Sequence, residues 1–280
     1  MQLYTIDTGY FKLDGGAMFG VVPKVLWSKT NPPDSNNLCS WAMRSLLIED
    51  DDKLILIDNG IGDKQDQNFL KHYYLHGDDN LHSSLAKYGF HADDITDVFL
   101  THLHFDHCGG SVKWNNDRTK FEMTFKNANY WSNKNHWNWA ITPNRREKAS
   151  FLKENIFPIQ QSGQLKFIES EKNIFNNFNV LFVSGHTDNQ MIPHIKYKNK
   201  TIVFAADLLP STGHIPLPYV MGYDTKPLLT LSEKEAFLNR AAENDYIIFL
   251  QHDNYNECCR VKNIDGKVVL RDTFKLNEVM

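Results

Sequence analysis

The chain has 280 residues, 41% hydrophobic and 23% charged, the make-up of an ordinary soluble globular protein rather than a disordered or fibrous one. Its formal net charge is −4 and no long run of like charges occurs, which excludes the electrostatic footprint of a general nucleic-acid binder. No apolar stretch approaches bilayer length, so no membrane partner is expected.

The opening MQLYTIDTGYFKLDGG has no basic flank followed by an apolar core and does not read as a secretory signal. Trp27–Asn37 is a loop by its prolines and asparagines. Trp41–Ile48 alternates like a strand, and Leu54–Ile57 is a short run of the kind a buried strand shows. Leu81–Tyr88 reads as a helix and Val98–Leu100 as a buried strand. Asn135–Ala140 and Arg145–Asn155 read as helices separated by Pro143. Val180–Val183, Ile202–Ala205 and Ile247–Leu250 are further buried strands. Ser232 with Glu235 has the spacing of a capping box opening a helix through Ala242. The tail VKNIDGKVVLRDTF reads as a hairpin turning at Asp265-Gly266. This is an alternating α/β layout without an internal repeat or dividing linker. We expect one domain over residues 1–280, with residues 1–40 as an N-terminal segment of it. Cys39, Cys108, Cys258 and Cys259 include no CxxC pair, so reduced thiols and a cytoplasmic location are expected.

Chemistry concentrates at strand ends. VFLTHLHFDHCGG, Val98 to Gly110, sets His102, His104, Asp106 and His107 directly after an apolar run. VLFVSGH ends at His186, IVFAAD at Asp207, IIFLQH at His252 and LILID at Asp58. A rigid sheet can hold such side chains at fixed distances while the loops beyond admit substrate. Singly, His186 reads as a turn residue, Asp207 as a cap and His252 as a packed histidine. The crowded cluster has no packing rationale, and protonated imidazoles there would repel one another; a bound cation removes that conflict. His72 and His76 sit in a polar stretch and read as exposed, while His82, His91, His136 and His194 read as surface or packing residues.

At HLHFDH, with His186, Asp207 and His252 following in order, the sequence resembles the metallo-β-lactamase superfamily, in its HxHxDHxGG form with a GHT segment and an ADLLP-type segment. Lactonase-like and organophosphate-hydrolase-like members are the nearest in pattern. The resemblance implies an α/β (α+β) fold, an αββα sandwich of two mixed sheets with helices outside. It implies one metal on His102, His104 and His186, a second on Asp106, His107 and His252, and Asp207 bridging them. Asp58 would orient a ligand. The nitrogen and oxygen donors suit two divalent ions, zinc first, with iron, manganese or cobalt also accommodated. A bridging hydroxide would then attack the substrate, and Asp106 would shuttle a proton to the leaving group. His104 stands where flavin-linked di-iron relatives carry glutamate, which argues for hydrolysis.

The substrate is expected to be a small, apolar ester or lactone, acyl-homoserine lactones included, with a phosphotriester or phosphodiester as the alternative and a non-catalytic metal-binding protein as a third reading. The resemblance implies that the N-terminal segment, residues 1–40 with Phe19 and Trp27, packs near the pocket and walls it together with His214–Asp224, with Trp131, Trp137 and Trp139 contributing aromatic surface or core. Acyl-homoserine-lactone lactonases carry a tyrosine three residues past the bridging aspartate, where this chain has Pro210. His214, Tyr219 or Tyr223 are the candidates to replace it, and His214 and Tyr223 join Asp106 and Asp207 as expected catalytic residues. A homodimer is expected by analogy with relatives.

Overall fold

The computed structural model describes residues 1–169, 171 and 174–279. Its strands are β1 (Gln2–Asp14), β2 (Leu38–Asp50), β3 (Lys53–Ile57), β4 (Asp97–Phe99), β5 (Val112–Trp114), β6 (Phe121–Met123), β7 (Asn129–Ser132), β8 (Leu165–Phe167), β9 (Phe178–Val183), β10 (Gln190–Tyr197), β11 (Lys200–Phe204), β12 (Ile247–Phe249), β13 (Cys258–Ile264) and β14 (Lys267–Phe274). They build a six-stranded sheet in the order β1-β2-β3-β4-β7-β8, another in the order β14-β13-β12-β11-β10-β9, and a small ribbon of β5 and β6. Both large sheets are mixed. In the first, β2 and β3 are antiparallel and β3, β4, β7 and β8 run parallel. In the second, only β11 and β12 are parallel. The chain forms two compact units, one of Met1–Gly9 and Met43–Ser170, the other of Tyr10–Ala42 and Glu171–Met280.

The parallel pairs carry four of the run-like apolar strands read from the sequence, β3, β4, β11 and β12, since strands covered on both faces need not alternate; Val180–Val183, read as a buried strand, lies instead in the antiparallel edge strand β9, with Leu181 and Phe182 half-buried. In the first unit, Leu47, Leu56, Val98 and Tyr130 pack with Leu85, Trp137 and Ile156 in one buried cluster. In the second, Ile202, Phe204, Ile247 and Phe249 are fully buried. Asp265 and Gly266 both adopt positive φ, 50° and 80°, as a two-residue hairpin turn requires. Among the described residues no helix is long and apolar enough to cross a membrane.

Two expected elements differ. Asn144 Oδ1 accepts the main-chain N–H groups of Arg146 and Glu147, a local turn that competes with the helix expected from Arg145; the helix runs Lys153–Gln161 instead. Ser232 is not a cap. The last long helix spans Pro227–Glu243, opened by proline at its first position, and Ser232 Oγ donates back to the Leu228 carbonyl.

Candidate metal centre

Four of the strands end at the same offset from a donor. His102, His186, Asp207 and His252 each stand three residues past the last strand residue, Phe99, Val183, Phe204 and Phe249 respectively. Because β11 and β12 are parallel with Phe204 opposite Phe249, Asp207 and His252 leave the sheet at one level.

In the first unit, β3 and β4 end side by side. Asp58 takes φ 55° and donates its N–H to the Phe99 carbonyl at 2.9 Å, so its carboxylate turns toward the loop after β4. There it accepts the Thr101 N–H and hydroxyl, both at 2.8 Å, and His107 Nδ1–H at 3.0 Å. The Thr101 hydroxyl, having given its proton to Asp58, accepts from His102 Nδ1–H at 3.1 Å. Both imidazoles are thereby set in the tautomer that presents Nε2. Glu147 Oε1 lies 3.4 Å from His104 Nε2, which turns Nδ1 of that ring the other way; Trp139 Nε1–H holds Glu147 at 2.8 Å. His136 Nε2 accepts the Leu103 N–H at 2.9 Å and so fixes the backbone between His102 and His104. The donor atoms of His102 and His104, and those of Asp106 and His107, lie within 4.8 Å of each other. The His102 and His107 ring centroids are 3.8 Å apart, so two positively charged imidazoliums there would repel one another. Gly109 and Gly110 permit this crowding: a Cβ on either would stand about 2 Å from the Ile61 or Asn59 carbonyl oxygen. Cys108 is fully buried, its Sγ–H donates to the Leu103 carbonyl, and burial pushes its thiol up to about 12; it stands outside the grouped donors.

In the second unit, Asp207 stands between two imidazoles. Its Oδ2 is 3.1 Å from His186 Nε2 and its Oδ1 3.1 Å from His252 Nε2. The opposite nitrogens are committed: His186 Nδ1 to Asp224 Oδ1 at 2.8 Å, His252 Nδ1 to the Ala42 carbonyl at 2.7 Å. Burial opposes charge on His186, but Asp207 and Asp224 together raise it to about 10, so a metal must displace a proton to bind there. Glu233 accepts the Ser184 and Gly185 N–H groups at 2.7 and 2.9 Å, pinning the turn that delivers His186. Ala206 holds φ 43°, a left-handed conformation uncommon for a residue with a Cβ, directly before Asp207.

His214 is buried with both nitrogens engaged. Nδ1 accepts from Ser211 Oγ at 2.8 Å and Nε2–H donates to the Met18 carbonyl at 2.9 Å, while the ring stacks on Phe19 at 4.5 Å. Pro210 lends its carbonyl to the His252 N–H. Tyr223, beside Asp224, is exposed and Tyr219 half-buried. The aromatic groups noted in the sequence serve the interior: Phe19, Trp27 and Trp137 are buried, and Trp131 Nε1–H donates to Asp97. His72 and His76 are exposed.

Each unit thus presents imidazole and carboxylate donors whose second atoms are fixed by hydrogen bonds, the arrangement that nitrogen- and oxygen-binding divalent ions require. The model of the metallo-beta-lactamase superfamily matches residues 44–252. The chain belongs to the metallo-β-lactamase superfamily. Among curated relatives, N-acyl homoserine lactonase AiiA of Bacillus thuringiensis subsp. kurstaki is 23% identical over 93% of this chain and 96% of its own. Among solved structures, a "probable metal-dependent hydrolase" from Staphylococcus aureus superposes with a TM-score of 0.87 at 28% identity over 98% of each chain. AidC, a dizinc quorum-quenching lactonase solved with its product, superposes with a TM-score of 0.81 at 25% identity over 98% of this chain and 95% of its own. The mixed α/β architecture matches these superfamily neighbours, and family and relatives support a metal-dependent hydrolase. The dizinc neighbour and the donor groups of the two units support two divalent ions.

Asp224, Glu147, Glu233 and the Ala42 carbonyl were not legible as site residues. Asp224 alone had a sequence signal, as a carboxylate in the segment after Asp207.

Proposed function

We propose that this chain is a dinuclear hydrolase that opens a lactone ring, with N-acyl homoserine lactones as the substrate class and zinc as the metal. One observation carries the reading: Asp207 directs one oxygen toward His186 and the other toward His252, the disposition of a carboxylate that serves two ions. Similarity to lactonases over nearly the whole chain supports the substrate class.

On this reading His102, His104 and His186 hold one ion, Asp106, His107 and His252 the other, and Asp207 both. When bound, the ions acidify a water molecule to a pKa of about 7 and polarise the scissile carbonyl. Asp58, Asp224 and the Ala42 carbonyl keep the imidazoles in their binding tautomer. Asp106 carries the proton to the leaving oxygen, and Tyr223, exposed beside Asp224, reaches the substrate carbonyl. We further propose that both units act as the single domain expected from the sequence.

The test is elemental analysis of the purified protein, followed by turnover of an acyl lactone and an aryl phosphotriester. Two zinc equivalents with lactone opening dominant are expected, and Asp207→Ala should lose an ion and most turnover. Dominant phosphotriester cleavage would move the assignment to that class. Full metal content and turnover in the Asp207 variant would refute the ligand set.

A further inference from the structure

Glu147 turns inward from an exposed loop. Asn144, Arg145, Arg146, Lys148 and Ala149 are exposed, and Glu147 among them is 3% exposed. A carboxylate in the interior is costly unless its oxygens are paired. Its Oε2 accepts Trp139 Nε1–H, from the helix Lys134–Ile141, at 2.8 Å, and Asn144 Nδ2–H as well. Its Oε1 faces His104 Nε2 at 3.4 Å. The same stretch of chain brackets that histidine. His136 Nε2 accepts the Leu103 N–H at 2.9 Å, the Ser150 carbonyl accepts the Phe105 N–H at 3.0 Å, and the Phe151 ring lies 4.7 Å from the His104 ring. The backbone on both sides of His104 is thereby fixed, and Glu147 meets the ring itself.

On the ligand assignment above, the two ions meet unequal donors. One has three imidazoles, those of His102, His104 and His186. The other has the imidazoles of His107 and His252 and the charge of Asp106, and Asp207 is shared. The groups behind the imidazoles offset the difference. Glu147 backs His104 and Asp224 backs His186, while the neutral Thr101 hydroxyl backs His102. On the other side Asp58 backs His107 and the neutral Ala42 carbonyl backs His252. Besides Asp207, the first ion then has Glu147 and Asp224, and the second has Asp106 and Asp58. Without Glu147 the first would be left one carboxylate behind the second.

We propose that Glu147 is a positioning residue that aims His104 and, through that ring, supplies the negative charge that the three-imidazole site lacks, so that the two sites bind zinc with affinities within about tenfold of each other. The affinity match rests on the dinuclear reading above; the pairing of Glu147 with His104 does not. The full chain, stripped with a chelator, is titrated with zinc against a chromophoric competitor. The parent should fill both sites in one unresolved step. Glu147→Gln keeps the shape and an acceptor for Trp139 but removes the charge. It should bind one ion about 10–100-fold more weakly and the other within about threefold of the parent. Trp139→Phe, which leaves the charge and removes one bond to it, should weaken the same site less than Glu147→Gln does. In nuclear magnetic resonance spectra of the zinc-loaded, isotope-labelled parent, the imidazole N–H protons of His104, His107 and His186 should all lie far downfield, shifted by their carboxylate acceptors. Glu147→Gln should lose the His104 signal from that group and keep the other two. The parent spectrum needs no variant and tests the pairing even where Glu147→Gln does not fold.

A parent in which His104 shows no downfield proton overturns the pairing. Parent-like binding of both ions by Glu147→Gln, or an equal loss at both sites, overturns the charge role. So does a loss in Trp139→Phe as large as that in Glu147→Gln, which would mark a merely structural role. A parent that takes fewer than two zinc ions refutes the dinuclear reading, and the affinity match with it.

Discussion

Asp224 accepts the Nδ1 proton of His186 at 2.8 Å, both side chains buried and 38 residues apart in the chain. That bond decides which imidazole nitrogen faces Asp207. Asp58 does the same for His107 in the other unit. Neither carboxylate is among the proposed ligands, yet each sets the direction of one, and the first two predictions follow from them.

Asp224→Ala leaves the His186 ring without its orienting acceptor and should weaken metal binding about 10–100-fold. Titration of the chelator-stripped protein with zinc reads this directly. An affinity equal to that of the parent would show that Asp207 alone suffices to orient His186.

Asp58→Ala should be the more damaging to the fold. It strands the Thr101 N–H, the Thr101 hydroxyl and His107 Nδ1–H in a fully buried place, so about 3 kcal/mol of stability or more should be lost. Urea denaturation of both proteins measures it. A shift well under 1 kcal/mol would mean that water replaces the carboxylate without cost, and the buried network as described could not be right.

Tyr223→Phe tests the substrate contact. Loss of one hydrogen bond to the reacting carbonyl should lower kcat/KM on an acyl lactone about tenfold with metal content unchanged. Equal rates on every substrate would strike Tyr223 from the reaction.

His214 makes stability depend on pH. Burial holds its pKa down to about 4, against an ordinary value of 6.5. Its folded form resists a proton that the unfolded chain accepts, so its contribution is complete above pH 6.5 and is lost as pH falls toward 4. Relative to a His214→Gln variant, the parent should lose about 2 kcal/mol more between pH 7.5 and pH 5. Unfolding free energies of the two metal-loaded proteins at those pH values give the difference. A gap that stays constant across the range would place His214 in contact with water.

The sequence by itself determined which candidate donors follow which strands. Ionisable residues seldom sit inside a buried apolar run, so the runs leading to His102, His186, Asp207 and His252 were visible in one dimension, as was the Asp265-Gly266 turn with its demand for positive φ. Local competition was harder to see: the Asn144 turn and the Pro227 start both displaced expected helix ends, because one side chain or one ring outweighs a weak periodic signal. Only the tertiary structure decided the orientation of the donors. Ala42 meets His252 across 210 residues, Asp224 meets His186 across 38, and Lys234 reaches back to three carbonyls of a loop it follows. Hydrogen bonds made between distant segments carry no period and no fixed spacing, so they leave no trace in the sequence until the backbone has brought them within 3 Å or so of each other.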